Sequence, residues 1–261
     1  MNEQQKHNEW HFQWDKYYDD SLFLFKEWIY PNKLEDFRGK DVVDCGCGGG
    51  QHINFIAPLA KSVVGIDLNT VDIARRNNRQ HPNVSFIEGD LAKINVGRRF
   101  DIAYCIGVLQ HTADPDKTFD NIKNLVKPGG RLIVWCYSKE GNWPNWLFLE
   151  PLKRLFILRL PKNLLNRIAF VMTAVFYPLV YTVYRLPLRF LPYYQYFENF
   201  RLLSFRRNML NVFDKLNAPM TNFITRNQIE EWFNRGEFSG VYMDHYKGVS
   251  WRASGTKSAY I

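Results

Sequence analysis

Between residues 40 and 138 the chain alternates short β-branched apolar runs with longer stretches whose apolar residues recur at helical spacing. This is the pattern of successive strand–helix units. The runs predict strands over 41–45, 62–67, 84–88, 100–106 and 130–137, with helices between most of them. Strands joined through helices pair in parallel. Pro128, Gly129 and Gly130 read as a turn that stops a helix near Val126 and launches the fifth strand.

The flanks follow other patterns. Residues 9–30 read as an aromatic-rich helical lead with Trp10, Trp14, Tyr17, Tyr18, Phe23, Phe25 and Trp28, for which packing against the sheet edge is the plainest role. Residues 143–217 are dense in Leu, Phe, Tyr and Arg, and Pro151, Pro161, Pro178, Pro187 and Pro192 divide them into short helical pieces. Thr225-Arg226-Asn227-Gln228 fits a capping box opening a helix that runs to about Arg235, with Gly236 at C′. Two strand-like runs, 240–246 and 249–254, suit a closing antiparallel hairpin. The expected fold is α/β, with a mostly parallel sheet, that hairpin and an inserted helical subdomain. Its expected divisions are an N-terminal helical lid over 1–35, a core over 36–142, the insertion over 143–217, and a final helix and hairpin over 218–261 that complete the core.

Composition narrows the class. With 46% hydrophobic and 16% aromatic residues, the 261-residue chain has the means to bury a core and is far from the composition of disordered proteins. The first twenty residues are polar and charged with no apolar signal core, so a cytoplasmic location is expected. The four cysteines, Cys45, Cys47, Cys105 and Cys136, imply no disulfide framework, and their spacing completes no metal pattern. Charge is concentrated in one place. Residues 151–207 hold ten basic residues against Glu198 alone, a local +9 within a total of +8, which leaves the rest near neutral at −1. A nearly neutral body with one basic, aromatic segment points to a local anionic partner rather than to general nucleic-acid affinity.

The strongest local signal is VVDCGCGGG, an apolar strand ending in Asp44 and running into Gly46, Gly48 and Gly50. Glycines there let the backbone take unusual dihedrals and approach a ligand, and the helix that follows offers free N–H groups. The nicotinamide fingerprint would place a third glycine where Gln51 stands, which weakens a dehydrogenase reading. Twenty-one residues after Gly46, the run SVVGID ends in Asp67, placed to bond two ribose hydroxyls. In FIEGDL, Asp90 and Leu91 follow another strand and are placed to bracket an adenine ring from its polar edge and its face.

These motifs resemble the class I S-adenosylmethionine-dependent methyltransferases over about residues 10–138. DCGCGGG is similar to that family's D-x-G-x-G-x-G loop, FDIAYCIGVLQHTADP to its fourth strand and following loop, and VKPGGRLIVW to its entry into the fifth strand. The resemblance implies a Rossmann-like core that binds S-adenosylmethionine. It implies Asp44, Gly46, Cys47 and Gly48 around the methionine part, Asp67 on the ribose with Leu68 packing on adenine, Asp90 and Leu91 at the adenine, and Ile106 with Gln110 near the sulfur.

The acceptor stays open at this level. His111 follows the fourth strand, in the crevice where open α/β folds bind ligands, and is the first candidate for a general base; a capping or packing role for that loop is the alternative. His245 and Tyr137 are weaker candidates. The loop lacks the Asn/Asp-Pro-Pro-aromatic motif of nucleobase amine methyltransferases, and no paired-glutamate loop of arginine methyltransferases occurs. The expected activity is methylation, at oxygen, of a small or lipid-linked acceptor. An RNA methyltransferase, with no RNA-binding module recognisable, or a catalytically silent partner subunit are the alternatives. The longest uncharged run of the insertion, residues 168–184, has 17 residues and contains Pro178. A membrane span needs about 20 apolar residues, so contact with an anionic membrane surface at its inner face is favoured over crossing. A lid or a homodimer interface accounts for the same apolar faces.

Overall fold

Seven strands form one mixed sheet in the order β3-β2-β1-β4-β5-β7-β6, in a computed structural model that describes residues 3–18, 21–234 and 236–258. The strands are β1 (Asp41–Cys45), β2 (Ser62–Asp67), β3 (Val84–Glu88), β4 (Phe100–Ile106), β5 (Val126–Tyr137), β6 (Phe238–Tyr246) and β7 (Ser250–Lys257). β1 to β5 pair in parallel, and β7 joins β5 and β6 antiparallel. The fold is thus Rossmann-like, mostly parallel, with the closing hairpin in the place the alternation assigns it.

Near-continuous apolar strands imply a sheet covered on both faces. Successive residues of β1 serve opposite layers. Val43 joins Phe119, Ile122 and Trp232, from α5 (Pro115–Asn124) and α10 (Arg226–Asn234), whereas Val42 joins Phe25, Ile29, Ile53 and Ala74. Those last four come from α2 (Leu22–Ile29), α3 (Gln51–Ile56) and α4 (Val71–Asn77). The Thr225 hydroxyl accepts from the Gln228 N–H at 3.2 Å and opens α10, while the Gln228 amide turns away to donate to Asp116. Arg235, the expected end of that helix, lies outside the described residues.

Three expectations are corrected. Pro128, Gly129 and Gly130 do not precede the fifth strand; they form an irregularity within β5, which pairs Val126 with Phe100 and resumes at Arg131 opposite Ile102. The chain before the sheet is two α-helices, α1 (Glu3–Lys16) and α2, and a 3-10 turn, Leu34–Phe37, and of these α2 and the turn supply residues to the sheet's core. Pro178 does not divide its helix. α7 (Lys162–Tyr181) runs through it, because a proline three residues from the end forfeits one helical hydrogen bond in the last turn only.

The rest of 143–217 carries three further α-helices, α6 (Glu150–Leu155), α8 (Tyr194–Leu202) and α9 (Phe205–Asn217), with short 3-10 turns and an irregular stretch over 186–193 between them. Leu165, Ala169, Leu210, Phe213 and Leu216 of α7 and α9 bury against Tyr17 just after α1, so this segment and the N-terminal helix share a core separate from the sheet's.

Candidate active site

The loop after β1 is pinned from below. The N–H groups of Gly46 and Cys47 both donate to the Ile66 carbonyl, at 2.8 and 2.9 Å, tying the loop to the end of β2. Gly46 has φ +88°, and a Cβ there would stand 2.3 Å from Val108; Gly48 has φ +53°, and its Cβ would stand 2.9 Å from the Trp14 ring. Both positions need glycine for conformation and for space. The Gly48 N–H donates to Asp67 Oδ2 at 2.9 Å, and the Asn69 N–H to Oδ1 at 3.2 Å. Each carboxylate oxygen keeps lone pairs for hydroxyl donors. Leu68, beside it, is 47% exposed and presents an apolar face.

Two buried acceptors, one in β1 and one in the turn after β4, lack partners among the described residues. Asp44 Oδ2 and Gln110 Oε1 make no hydrogen bond, although both residues are almost wholly buried. Burial, with the charge of Asp67 adding to it, pushes the Asp44 carboxyl up to about 8. Orphaned acceptors of this kind call for a donor. The donor set fits S-adenosylmethionine: its ammonium suits Asp44 and Gln110, its ribose hydroxyls suit Asp67, and its ring suits the exposed face of Leu68.

The remaining expected residues divide. Gly107, next to Ile106, lies beside Gln110, whose amide would be 3.9 Å from a Cβ there. Ile106 and Cys47 are buried in the sheet's core. Asp90 caps its own turn, accepting from the Ala92 N–H at 2.9 Å, and Leu91 turns its side chain into the core with Ile87 and Ile94. The face of Leu91 is therefore spent on packing.

His111 occupies a short 3-10 turn, Leu109–His111, after β4. Its Nδ1 is 2.8 Å from the Met220 carbonyl, which only accepts, so Nδ1 carries the proton and Nε2 the lone pair. Its ring is 4.9 Å from that of Trp10 and 5.9 Å, edge-on, from that of Tyr137. Burial lowers its pKa from the ordinary histidine value, with Asp214 opposing. Tyr137 is no base: its hydroxyl donates to Asp214 Oδ2 at 3.0 Å, and burial raises its pKa well above the usual phenol value. His245 is committed elsewhere. The Ser138 hydroxyl donates to the Glu140 carbonyl at 2.6 Å, which leaves His245 Nε2, 3.0 Å from Ser138 Oγ, to donate, and the ring packs on Trp251.

Sequence patterning missed what α1 and α9 bring. Trp14 covers the glycine loop, and the Gln13 amide donates to Asp214 Oδ1 at 2.9 Å. Beneath His111, the fully buried Lys153 pairs with Glu150 and donates to Thr221 at 3.2 Å. A run of aromatic residues marked α1 as packed, but nothing in its spacing said against what.

The site agrees with comparison to known proteins. Residues 43–134 match a family model described as a methyltransferase domain. The ubiquinone biosynthesis O-methyltransferase of Coxiella burnetii is 34% identical over 123 residues, 46% of this chain and 52% of that protein. The chain spans about half the length of the curated relatives it matches. A chain of the solved complex between the Haloferax volcanii Trm112 methyltransferase activator and its methyltransferase superposes with a TM-score of 0.59 at 14% identity, covering 98% of this chain and 97% of that one. An O-methyltransferase family protein from Burkholderia thailandensis superposes with a TM-score of 0.55 at 14% identity, over 92% and 57%. Glycine loop, acid at the end of β2, sheet order and matched residues converge: residues 43–134 are similar to a methyltransferase domain, and the loop and strand ends they contain suit S-adenosylmethionine as the cofactor.

Proposed function

We propose that this chain methylates an oxygen of a small or lipid-linked acceptor. The observation that carries the reading is His111, with Nδ1 tied to the Met220 carbonyl and the Nε2 lone pair left free, on the turn after β4 next to the donor loop. S-adenosylmethionine supplies, when bound, a methyl group on a positively charged sulfur. Asp44 and Gln110 would hold its ammonium, and Asp67 its ribose. His111 Nε2 would accept the acceptor's hydroxyl proton as the oxygen–methyl bond forms and the methyl–sulfur bond breaks, with S-adenosylhomocysteine as the leaving group. A base so placed, together with orientation of the two reactants, is what such an in-line displacement asks of a protein. Support for oxygen comes from the relatives named ubiquinone biosynthesis O-methyltransferase. Transfer of tritiated methyl from the cofactor to membrane extract, to soluble metabolites and to RNA, run in parallel, tests this; label in RNA alone, or in none, would refute it.

A second part of the proposal places the enzyme at the cytoplasmic face of an anionic membrane. α7 is long and apolar enough to cross a bilayer by length and composition. Yet it buries one stripe, Leu165, Ala169, Thr173 and Val180, within the protein, while Phe170, Val171, Val175 and Leu179 are exposed. Phe190 is 81% exposed, and Arg154, Arg159, Arg185 and Arg189 are exposed as well. Apolar side chains interleaved with arginine suit a surface-lying helix. Liposome flotation tests it, and a stable dimer joined through these helices would replace it.

A further inference from the structure

Between the sheet and the helical segment lies a cavity of about 170 Å³. A cavity of about 150 Å³ engineered into another protein takes up benzene, so its natural guest is on the scale of one ring. The walls suit a flat body: Trp28 and Trp135, with centroids 4.7 Å apart, on the core side, and Tyr196, Phe197 and Phe200 on α8.

Two cations line this apolar space, and they differ. Lys247 is matched by Glu198 at 2.8 Å. Lys215, on α9, has no carboxylate within 4.0 Å among the described residues, and its neighbour Asp214 is engaged by Tyr137 and Gln13. The Lys215 ammonium stands 5.1 Å from the Tyr137 ring centroid and 5.3 Å from that of Tyr196. Two ring faces hold it in place but supply no counter-charge. A partly buried cation without an anion is costly, and the cost falls when a ligand brings one. Of the other polar side chains in the wall, the Asn142 amide donates to the Ser138 and Val249 carbonyls and the Asn199 amide to the Tyr246 hydroxyl, whereas the Tyr193 hydroxyl has no hydrogen-bond partner among the described residues and is a neutral donor beside the charged one. Tyr137 is a wall of this cavity and also touches His111, so a guest beside Lys215 shares a neighbour with the base.

We propose that Lys215 determines acceptor specificity by pairing with an anionic group, a carboxylate or an ionised phenol, on a single-ring aromatic acceptor held in this cavity. The proposal rests on the methyltransferase reading for the word acceptor, and on the cavity for the rest.

Calorimetric titration of the full chain with 3,4-dihydroxybenzoate and with neutral 3,4-dihydroxybenzamide separates charge from shape. The benzoate should bind about 10- to 100-fold more tightly, the range of one charge-assisted contact. Lys215→Met should abolish that preference by weakening the benzoate, Lys215→Gln should do the same, and Lys215→Arg should keep most of it. Equal affinity for the two ligands, no binding of either at millimolar concentration, or a preference that survives in the folded Met and Gln variants would overturn the proposal. S-adenosylhomocysteine binding, measured on the same samples, reports separately on the functional reading. Its absence beside an intact benzoate preference would sink the methyltransferase assignment and leave the anion site standing.

Discussion

The Gly48 N–H donates to Asp67 Oδ2 across 2.9 Å, so the loop after β1 and the acid ending β2 are one unit. Asp67→Ala should therefore remove a ribose contact and loosen the loop together. Cofactor affinity should fall by about 2 kcal/mol, roughly 30-fold, on the scale of hydrogen bonds to charged groups. Asp67→Asn should lose less, since it keeps an acceptor for Gly48. Calorimetry with S-adenosylmethionine on the folded variants decides the point, and unchanged affinity in the alanine variant would dismiss Asp67.

Asp44 gives a pH signature. With its carboxyl pushed up to about 8, it is largely protonated in the cofactor-free protein at neutral pH and must ionise to meet an ammonium. Cofactor affinity should rise as pH increases from about 6 towards 8, with proton release on binding below 8. Folding runs the other way. The folded state holds this proton where the unfolded chain does not, so stability without cofactor should decline from about pH 4 towards 8. Asp44→Asn should flatten both trends; calorimetry in buffers of different ionisation enthalpy measures the first, and denaturant titration the second.

For His111, burial favours the neutral ring, so the base form is present at neutral pH and is lost only below the ordinary histidine range, near 6.5. Turnover should fall on that acid limb. His111→Ala should lower kcat by about 100- to 10,000-fold and spare cofactor affinity. Normal turnover of the true acceptor by the variant would assign the residue to packing with Trp10 and Tyr137.

The exposed face of α7 and the arginines beside it predict salt-sensitive uptake by anionic vesicles and little by neutral ones. Each basic residue near such a surface contributes about 1 kcal/mol, and salt screens that part. Replacing Arg154, Arg159, Arg185 and Arg189 with Gln should reproduce the high-salt result in a flotation assay. Absence of flotation at any salt, with a dimer in sedimentation, would reassign the face to protein contact.

β1, β2 and β4 were legible because they are buried on both sides and therefore read as plain apolar runs, and β3, half-exposed at the sheet edge, also lies where its run places it. Proline misled twice, at Pro178 and at Pro128, because its local veto on hydrogen bonding says little when the forfeited bond lies at a helix end or an irregular pairing. The donor loop could be read from Gly46, Gly48 and Asp67 since close backbone approach demands particular residues. Leu91 illustrates the limit, since a residue just past a strand can turn to either side and this one turns inward. Lys215 and Asp214 escaped notice, and Trp14 read only as a packing residue, because their meaning is wholly tertiary: each is ordinary on its own helix.

Helix α1 reaches both halves of the site at once. Trp14 lies over Gly48, Trp10 lies against His111, and Gln13 grips Asp214, which in turn holds the cavity wall at Tyr137. Any swing of this helix wide enough to uncover the glycine loop must also let go of Asp214. A donor leaving the glycine loop and a guest leaving the cavity would then share one door, and a slow opening would cap turnover whatever the chemistry inside.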